Sequence, residues 1–359
     1  MKRIIAIIIS IFLTVASLSI DTLAAPHTLS LSAESAVLID ANSKEVLFEK
    51  NAEKRMGMAS TTKIMTALIA AELGDLNKTV TVSKDAVGIE GSSIYLYAGE
   101  RFTLLELLYA LMLRSANDAA AAIAIEIGGS IEGFADIMNE KAMSMGLENT
   151  HFTNPHGLYD KEHYTSAYDL ALISRELLEN ETLRTIVSTK KISIPLHESS
   201  DNTRFLVNHN KMLKLYDGAI GVKTGFTKTT GRCLVSAAER DGLTLIAVTL
   251  NAPDDWNDHT KMLDFGFDQY ESVLIADACA FLHHLWLVGG ENEQVTLVNN
   301  QELRATLPKD RDNIVLKIET YHRFEFAPIY RSTPLGRVVC LYKGKVVSQS
   351  ALVCAEFTP

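Results

Sequence analysis

Strand-like sequence stands at both ends of residues 36–251 with helical sequence between, and no other feature constrains the fold as strongly. At the front, residues 36–40 and 45–49 read as short strands joined by the turn Ala41-Asn42-Ser43-Lys44. At the back, residues 231–239 and 244–251 flank Arg240-Asp241-Gly242 in the same way. Between them, residues 60–72 are rich in Ala, Leu, Ile and Met. A further helix begins at Thr103, with Glu106 at the spacing of a capping box. Residues 117–127 and 130–145 extend the helical run to Gly128-Gly129 and Gly146, and residues 166–178 form another helix after the loop 151–164. Strands at both ends of the segment with helices between them predict an α+β domain with a mixed sheet covered by helices. From Glu293 to Phe357 the texture changes to short runs such as 314–319 and 337–341, separated by Pro, Gly and Asn. That predicts a small all-β domain after residue 270.

The first 25 residues read as a targeting segment. Met1-Lys2-Arg3 is basic, residues 4–20 are nearly all apolar, and the small residues Ala24 and Ala25 precede Pro26. This is the layout of a cleaved secretory signal; an uncleaved anchor is the alternative, and no Cys near the cut supports lipid attachment. The net charge of −10 removes the electrostatic footprint expected of a nucleic-acid binder. A mean hydropathy of only +0.09 argues against a polytopic membrane protein. Four cysteines in 359 residues do not make a disulfide scaffold, and Cys233 in an apolar stretch reads as a buried small hydrophobe. No Cys pair has zinc spacing and no His-Glu-x-x-His occurs among the 10 His, so no metal or other cofactor is expected.

Three short motifs carry the chemistry. In Ser60-Thr61-Thr62-Lys63 the i,i+3 spacing sets the Lys63 amine beside the Ser60 hydroxyl if a helix begins there. Serine is a weak nucleophile until a neighbour takes its proton, and lysine can do so only as the free amine. Desolvation by Ile64 and Met65, and a second cation, would lower its pKa. Ser115-Ala116-Asn117 lies between two helical stretches and offers one hydroxyl and one carboxamide. Lys223-Thr224-Gly225 borders the strand-rich segment; lysine and threonine suit a carboxylate, and Gly225 admits close approach of a ligand backbone, with the Phe226 N–H aimed at the same cleft. Each motif alone is equally a helix cap, a surface lysine or a turn. In this order, with the first opening a helix and the last beside a strand, they resemble the set Ser-x-x-Lys, Ser-Asp-Asn and Lys-Thr-Gly of β-lactamases and penicillin-binding proteins. Ser-Ala-Asn stands in place of Ser-Asp-Asn, a departure that points away from class A β-lactamases.

The chain resembles serine-type D-alanyl-D-alanine carboxypeptidases, the low-molecular-mass penicillin-binding proteins, from about residue 30 to 270. Besides the three motifs, the similarity runs through Asn117-Asp118-Ala119-Ala120, the 128–134 stretch, Met138-Asn139, the 147–152 stretch, Asn154-Pro155-His156-Gly157-Leu158, residues 208–213 and Gly221-Val222-Lys223-Thr224-Gly225-Phe226-Thr227. The resemblance implies a β-lactamase/transpeptidase-like catalytic domain over residues 26–270 and a β-rich domain over 271–359. It implies removal of terminal D-alanine from peptidoglycan stem pentapeptides, with β-lactam antibiotics as acylating inhibitors. It implies Ser60 as nucleophile, Lys63 as general base and Ser115 as proton relay. Asn117, Lys223, Thr224 and Gly225 would bind substrate, and the Phe226 N–H would join that of Ser60 in an oxyanion hole. The family often adds an arginine on the adjoining strands; Arg232 and Arg240 are the nearby ones.

Two other readings remain. A class A β-lactamase needs a glutamate to activate water; Glu176 falls in the predicted helix 166–178 and Glu179 at its end, and both read as a solvated helical face. A non-catalytic wall-binding module would keep the cleft without turnover, although no motif is degraded. Asp254, Asp255, Asp258 and His259 read as a helix start, where acidic residues suit the macrodipole, and His283-His284 as a surface or interdomain pair. Many relatives end in an amphipathic membrane-lying helix; residues 345–354 read instead as a strand. The expectation is an exported chain outside the cytoplasmic membrane, unless the sequence stops short of an anchor.

Overall fold

The structure is a computed structural model describing residues 29–195 and 203–358. The expected signal segment, residues 1–25, lies outside the described residues. Leu31–Pro359 forms one compact unit. In its first part the strands are β1 (Ser35–Asp40), β2 (Val46–Lys50), β3 (Thr79–Thr81), β4 (Arg101–Thr103), β5 (Lys191–Pro195), β6 (Thr203–Val207), β7 (Ala219–Thr227), β8 (Gly231–Arg240) and β9 (Leu243–Leu250). The helices are α1 (Lys63–Leu73), α2 (Leu104–Arg114), α3 (Asn117–Gly128), α4 (Ile131–Ser144), α5 (Ala167–Glu179), α6 (Glu181–Ser188), α7 (Met212–Leu215) and α8 (Asp255–Gln269).

Both ends of this region meet in a five-stranded sheet ordered β2-β1-β9-β8-β7. Every residue of β1 and β9 is buried, so these two strands are covered on both faces, by α5 on one side and α8 on the other. Ser35–Asp40 and Leu243–Leu250 are accordingly almost continuous runs of apolar residues rather than alternating ones. The α+β class is as expected. All neighbours in this sheet run antiparallel, however: hairpins join β1 to β2 and β7 to β8 to β9, and the remote pair β1 and β9 is antiparallel as well. The parallel pairing among the described residues is that of Leu282–Val288 with Phe324–Phe326, in a second sheet.

The helical cluster is built on α1, in which Lys63–Ala70 are all buried. The Thr103–Glu106 capping box forms as predicted and starts α2. The alanines of α3, at 119–122 and 124, present little bulk to the helices packed on it. Asp254, Asp255, Asp258 and His259 do form a helix start: Asp258 accepts from the Ser32 hydroxyl and the Ser32 and Ala33 amides. His259 is fully buried between the Ser236 and Thr249 hydroxyls.

Beyond α8 the chain is all β: β10 (Tyr270–Ala276), β11 (Leu282–Val288), β12 (Gln294–Asn299), β13 (Leu303–Pro308), β14 (Val315–Thr320), β15 (Phe324–Phe326), β16 (Pro334–Tyr342) and β17 (Lys345–Cys354). Six of these form the sheet β14-β16-β17-β12-β11-β15, while β10 pairs with β13. Two small apolar clusters fill this region, one around Leu285, Leu297 and Leu352 and one around Leu303, Leu307 and Val338. The stretch expected as a strand at 345–354 is β17. His283 and His284 lie on β11, the latter exposed. Cys233, Cys340 and Cys354 are buried, Cys279 is exposed, and none of the four is bridged.

Candidate active site

Ser60 sits in a single 3-10 turn, Ala59–Thr62, that leads directly into α1. The preceding Ala59 is held at φ 47°, so the chain turns sharply just before the serine. The turn is clamped from within: the Thr61 hydroxyl donates to Met58 O (2.5 Å) and the Thr62 hydroxyl to Ala59 O (2.7 Å). It is also clamped from below by the 151–164 loop. There Asn154 Oδ1 accepts the His156 and Gly157 amides. Gly157, at φ +86°, passes so close that a Cβ would stand 1.9 Å from Ala59 O. His163 completes the clamp. Its Nδ1 accepts the Thr153 amide, which makes Nε2 the protonated nitrogen, donating to Thr62 Oγ1 at 2.8 Å.

Lys63 is completely buried, and its Nζ has three partners. Asn117 Oδ1 lies at 2.7 Å, His156 O at 2.5 Å and Ser60 Oγ at 3.0 Å. Two of these are carbonyl oxygens, which only accept. A neutral amine has two N–H bonds and one lone pair, so the carbonyls take the N–H groups and the lone pair is left facing the Ser60 hydroxyl. Burial holds the Lys63 pKa well below that of a free lysine, the Lys223 charge lowers it further, and Asp118 opposes both. Burial and the Lys223 charge thus push Lys63 toward the neutral amine that a base requires.

Asn117 is fixed at the start of α3. Its side-chain amide donates to Glu90 O (2.5 Å) and its backbone N–H to Ser92 O (2.7 Å). Ser115 ends α2 in the left-handed region at φ 60°, ψ 31°, nearly buried, its N–H returning to Ala110 O. It is hydrogen-bonded to neither Ser60 nor Lys63, and reaches the cluster through its place two residues before Asn117.

The third motif arrives on β7, the edge strand of the sheet. A Cβ on Gly225 would stand 3.0 Å from Ser60 N and 3.1 Å from Thr61 N, so the glycine lets β7 pass against the nucleophile turn. Lys223 is buried and donates to Thr224 O at 2.9 Å; desolvation lowers its pKa to about 7. Thr224 is half-buried, and Phe226 is exposed. Opposite Phe226, Arg232 pairs with Asp255 at 2.9 Å and lies over the Trp256 ring. Arg240 stacks instead on Tyr216 and Phe267 at the far end of β8. Glu176 and Glu179 pair with Arg175 on the outside of α5, and Arg175 reaches Ala41 O. Neither glutamate is bonded to the Ser60–Lys63–Asn117 cluster.

Reasoning on the three motifs alone missed the His156 carbonyl as a partner of Lys63 and the His163 and Gly157 support. The Asn-Pro-His-Gly turn sequence was their signal. It also missed Asp118, whose carboxylate binds the Ser93 hydroxyl and the Ile94 and Leu96 amides and so orders the loop that faces Asn117.

The fold and this cluster are those of serine-type penicillin-binding hydrolases. The D-alanyl-D-alanine carboxypeptidase family, peptidase S11, matches residues 22–254. The chain is 36% identical over 337 residues to the D-alanyl-D-alanine carboxypeptidase DacF of Bacillus subtilis, covering 91% of this chain and 86% of that relative. It is 30% identical over 345 residues to DacC of Escherichia coli, covering 91% and 84%. Among solved structures, penicillin binding protein 5 from Haemophilus influenzae matches with a TM-score of 0.77 at 26% identity, over 92% of this chain and 98% of that one. The chain belongs to the S11 D-alanyl-D-alanine carboxypeptidases. It is an enzyme of that activity and a penicillin-binding protein.

Proposed function

We propose that Ser60 Oγ attacks the carbonyl of the penultimate D-alanine in a peptidoglycan stem pentapeptide. Lys63 Nζ takes the hydroxyl proton as the O–C bond forms. Ser115 gives its hydroxyl proton to the departing amine of the terminal D-alanine and recovers one from the Lys63 ammonium. Water then yields a proton to Lys63 as it attacks the ester, and Ser60 Oγ leaves with that proton. The observation that carries this reading is Lys63: a buried amine with two carbonyl acceptors and Ser60 Oγ at 3.0 Å turns its lone pair to the nucleophile whenever it is neutral. The Ser60 and Phe226 amides form the oxyanion hole. The closeness of Gly225 to Ser60 N supports that pairing, and each such donor contributes roughly 3 kcal/mol to the transition state.

Lys223 and Thr224 hold the terminal carboxylate, with Gly225 leaving room for substrate backbone, and Asn117 contacts the acyl side. β-Lactams enter the same route and stop at the acyl-enzyme. The segment 26–270 serves as the catalytic domain and 271–359 as a β-rich appendage, and the enzyme works outside the cytoplasmic membrane after loss of residues 1–25. Among the described residues no helix is long and apolar enough to cross a membrane.

The test is mass spectrometry with benzylpenicillin. A covalent adduct on Ser60 is expected, and an adduct-free protein ends the reading. Release of D-alanine from a peptide, against slow release of penicillin, distinguishes this enzyme from a β-lactamase. In Lys223→Ala, discrimination between free and amidated peptide termini should disappear; its persistence would refute the carboxylate assignment. Cell fractionation tests the location: precursor-length protein in the cytoplasm would contradict export.

A further inference from the structure

We propose that Tyr95 is a specificity-determining residue that contacts the stem peptide beyond its D-alanyl-D-alanine end. This rests on the reading of the site given above. Tyr95 stands in the left-handed region at φ 59°, a conformation that a bulky residue adopts only when its surroundings impose it. Its ring nevertheless gains almost nothing from the protein, since the residue is 85% exposed.

The protein fixes this residue from both sides. Ser93 Oγ accepts the Tyr95 N–H at 2.8 Å while donating to Asp118 at 2.5 Å. On the other side, Arg204 of β6 donates to Tyr95 O at 3.3 Å and pairs with the fully buried Glu100 at 2.8 Å. Glu100 in turn accepts the Tyr97 N–H. Ile94 and Leu96 are buried on either side, which forces the ring at 95 outward. Glycine or asparagine would hold this conformation with less strain, so packing does not explain a tyrosine here. A buried carboxylate and a buried ion pair are thus arranged to present the Tyr95 ring, the more exposed of the loop's two outward tyrosines.

The location says what the ring meets. The loop hangs from Asn117, which bonds Glu90 O and Ser92 O and also touches Lys63. Lys223 and Thr224 take the leaving side of the substrate, so the acyl side runs past Asn117 toward this loop. Residues of the stem N-terminal to the penultimate D-alanine then reach Tyr95, where a ring face with a phenol edge suits aliphatic side chains and peptide amides.

The experiment compares two substrates, N-acetyl-D-alanyl-D-alanine and the pentapeptide L-Ala-γ-D-Glu-L-Lys-D-Ala-D-Ala, in wild type, Tyr95→Gly and Tyr95→Phe. In Tyr95→Gly, kcat/KM on the pentapeptide should fall ~10-fold through KM, with the short substrate and the benzylpenicillin acylation rate unchanged. The variant should unfold no more easily than wild type, because glycine relieves the backbone strain. Tyr95→Phe should keep most of the pentapeptide preference. Parallel losses on both substrates, or an unchanged ratio between them, would overturn the proposal. A wild-type protein that forms no Ser60 adduct would overturn the site reading and this inference with it.

Discussion

Gly157→Ala should cripple acylation while leaving a folded protein. The new Cβ would lie 1.9 Å from Ala59 O, 2.4 Å from Ala59 C and 2.8 Å from Thr62 Oγ1. Ordinary contact begins at 3.4 Å, so the Ala59 carbonyl must retreat by more than an ångström or the 151–164 loop must lift. A left-handed φ adds about 1–2 kcal/mol for any L side chain, and overpacking a filled site adds about 1–3 kcal/mol. Together they predict a destabilisation of about 2–5 kcal/mol. Ala59 adjoins Ser60 and the loop carries the His156 carbonyl that holds Lys63, so either movement shifts a reacting group. A misplacement of about 1 Å costs on the order of 100-fold in rate. The second-order rate of benzylpenicillin acylation, followed by mass spectrometry beside thermal unfolding, measures both effects. Gly157→Asn separates their causes: asparagine accepts the left-handed φ but carries the same Cβ, so it should lose as much rate. A folded Gly157→Ala protein acylated within about threefold of the wild-type rate would refute the argument.

Lys63→Arg should keep a cation in the cluster yet lose acylation by on the order of 1,000-fold, because a guanidinium has no lone pair for the Ser60 proton; wild-type-like adduct formation would contradict it. The pH profile should separate the two lysines. Lys223 of the free enzyme loses its charge at about 7, so kcat/KM should decline above that pH, while a bound carboxylate raises the Lys223 pKa and carries the kcat limb further alkaline; coincident limbs would count against the carboxylate role. Acid should unfold the protein early. Burial lowers the pKa of His259 and His156 to about 3 and that of His163 to about 4, from an ordinary value of 6.5. The unfolded chain binds these protons and the folded one does not, so stability is lost as pH falls below 6.5 and continues to fall toward the folded values. At pH 5 this amounts to roughly 2 kcal/mol for each histidine, together a large part of a typical total stability. Urea midpoints at pH 7.5 and pH 5 measure it, and equal midpoints would refute it.

Local features of the chain were legible in the sequence because short-range geometry determines them. The Thr103–Glu106 cap, the hairpins and the Ser60–Lys63 adjacency are set within a few residues by helix and turn geometry. The α+β class was legible too, from strands at both ends with helices between; the direction of the sheet's pairings was not, because that depends on which strand lies beside which. The Ser60–Lys63 motif predicted a lysine desolvated by Ile64 and Met65 and lowered further by a second cation. The tertiary structure supplies that cation as Lys223 on β7 and adds the contacts to Asn117 and His156, 54 and 93 residues away. Those contacts decide the protonation of Lys63, and no local pattern encodes them. Arg240 and Arg232, equivalent on sequence grounds, are separated by packing: one stacks on Tyr216 and Phe267, the other lies across from Phe226. The residue types needed for the chemistry are thus written in the chain, but their charge states and mutual distances arise only when the sheet edge, the 151–164 loop and the start of α3 close around one serine. Burial and Coulomb forces act through space, not along sequence.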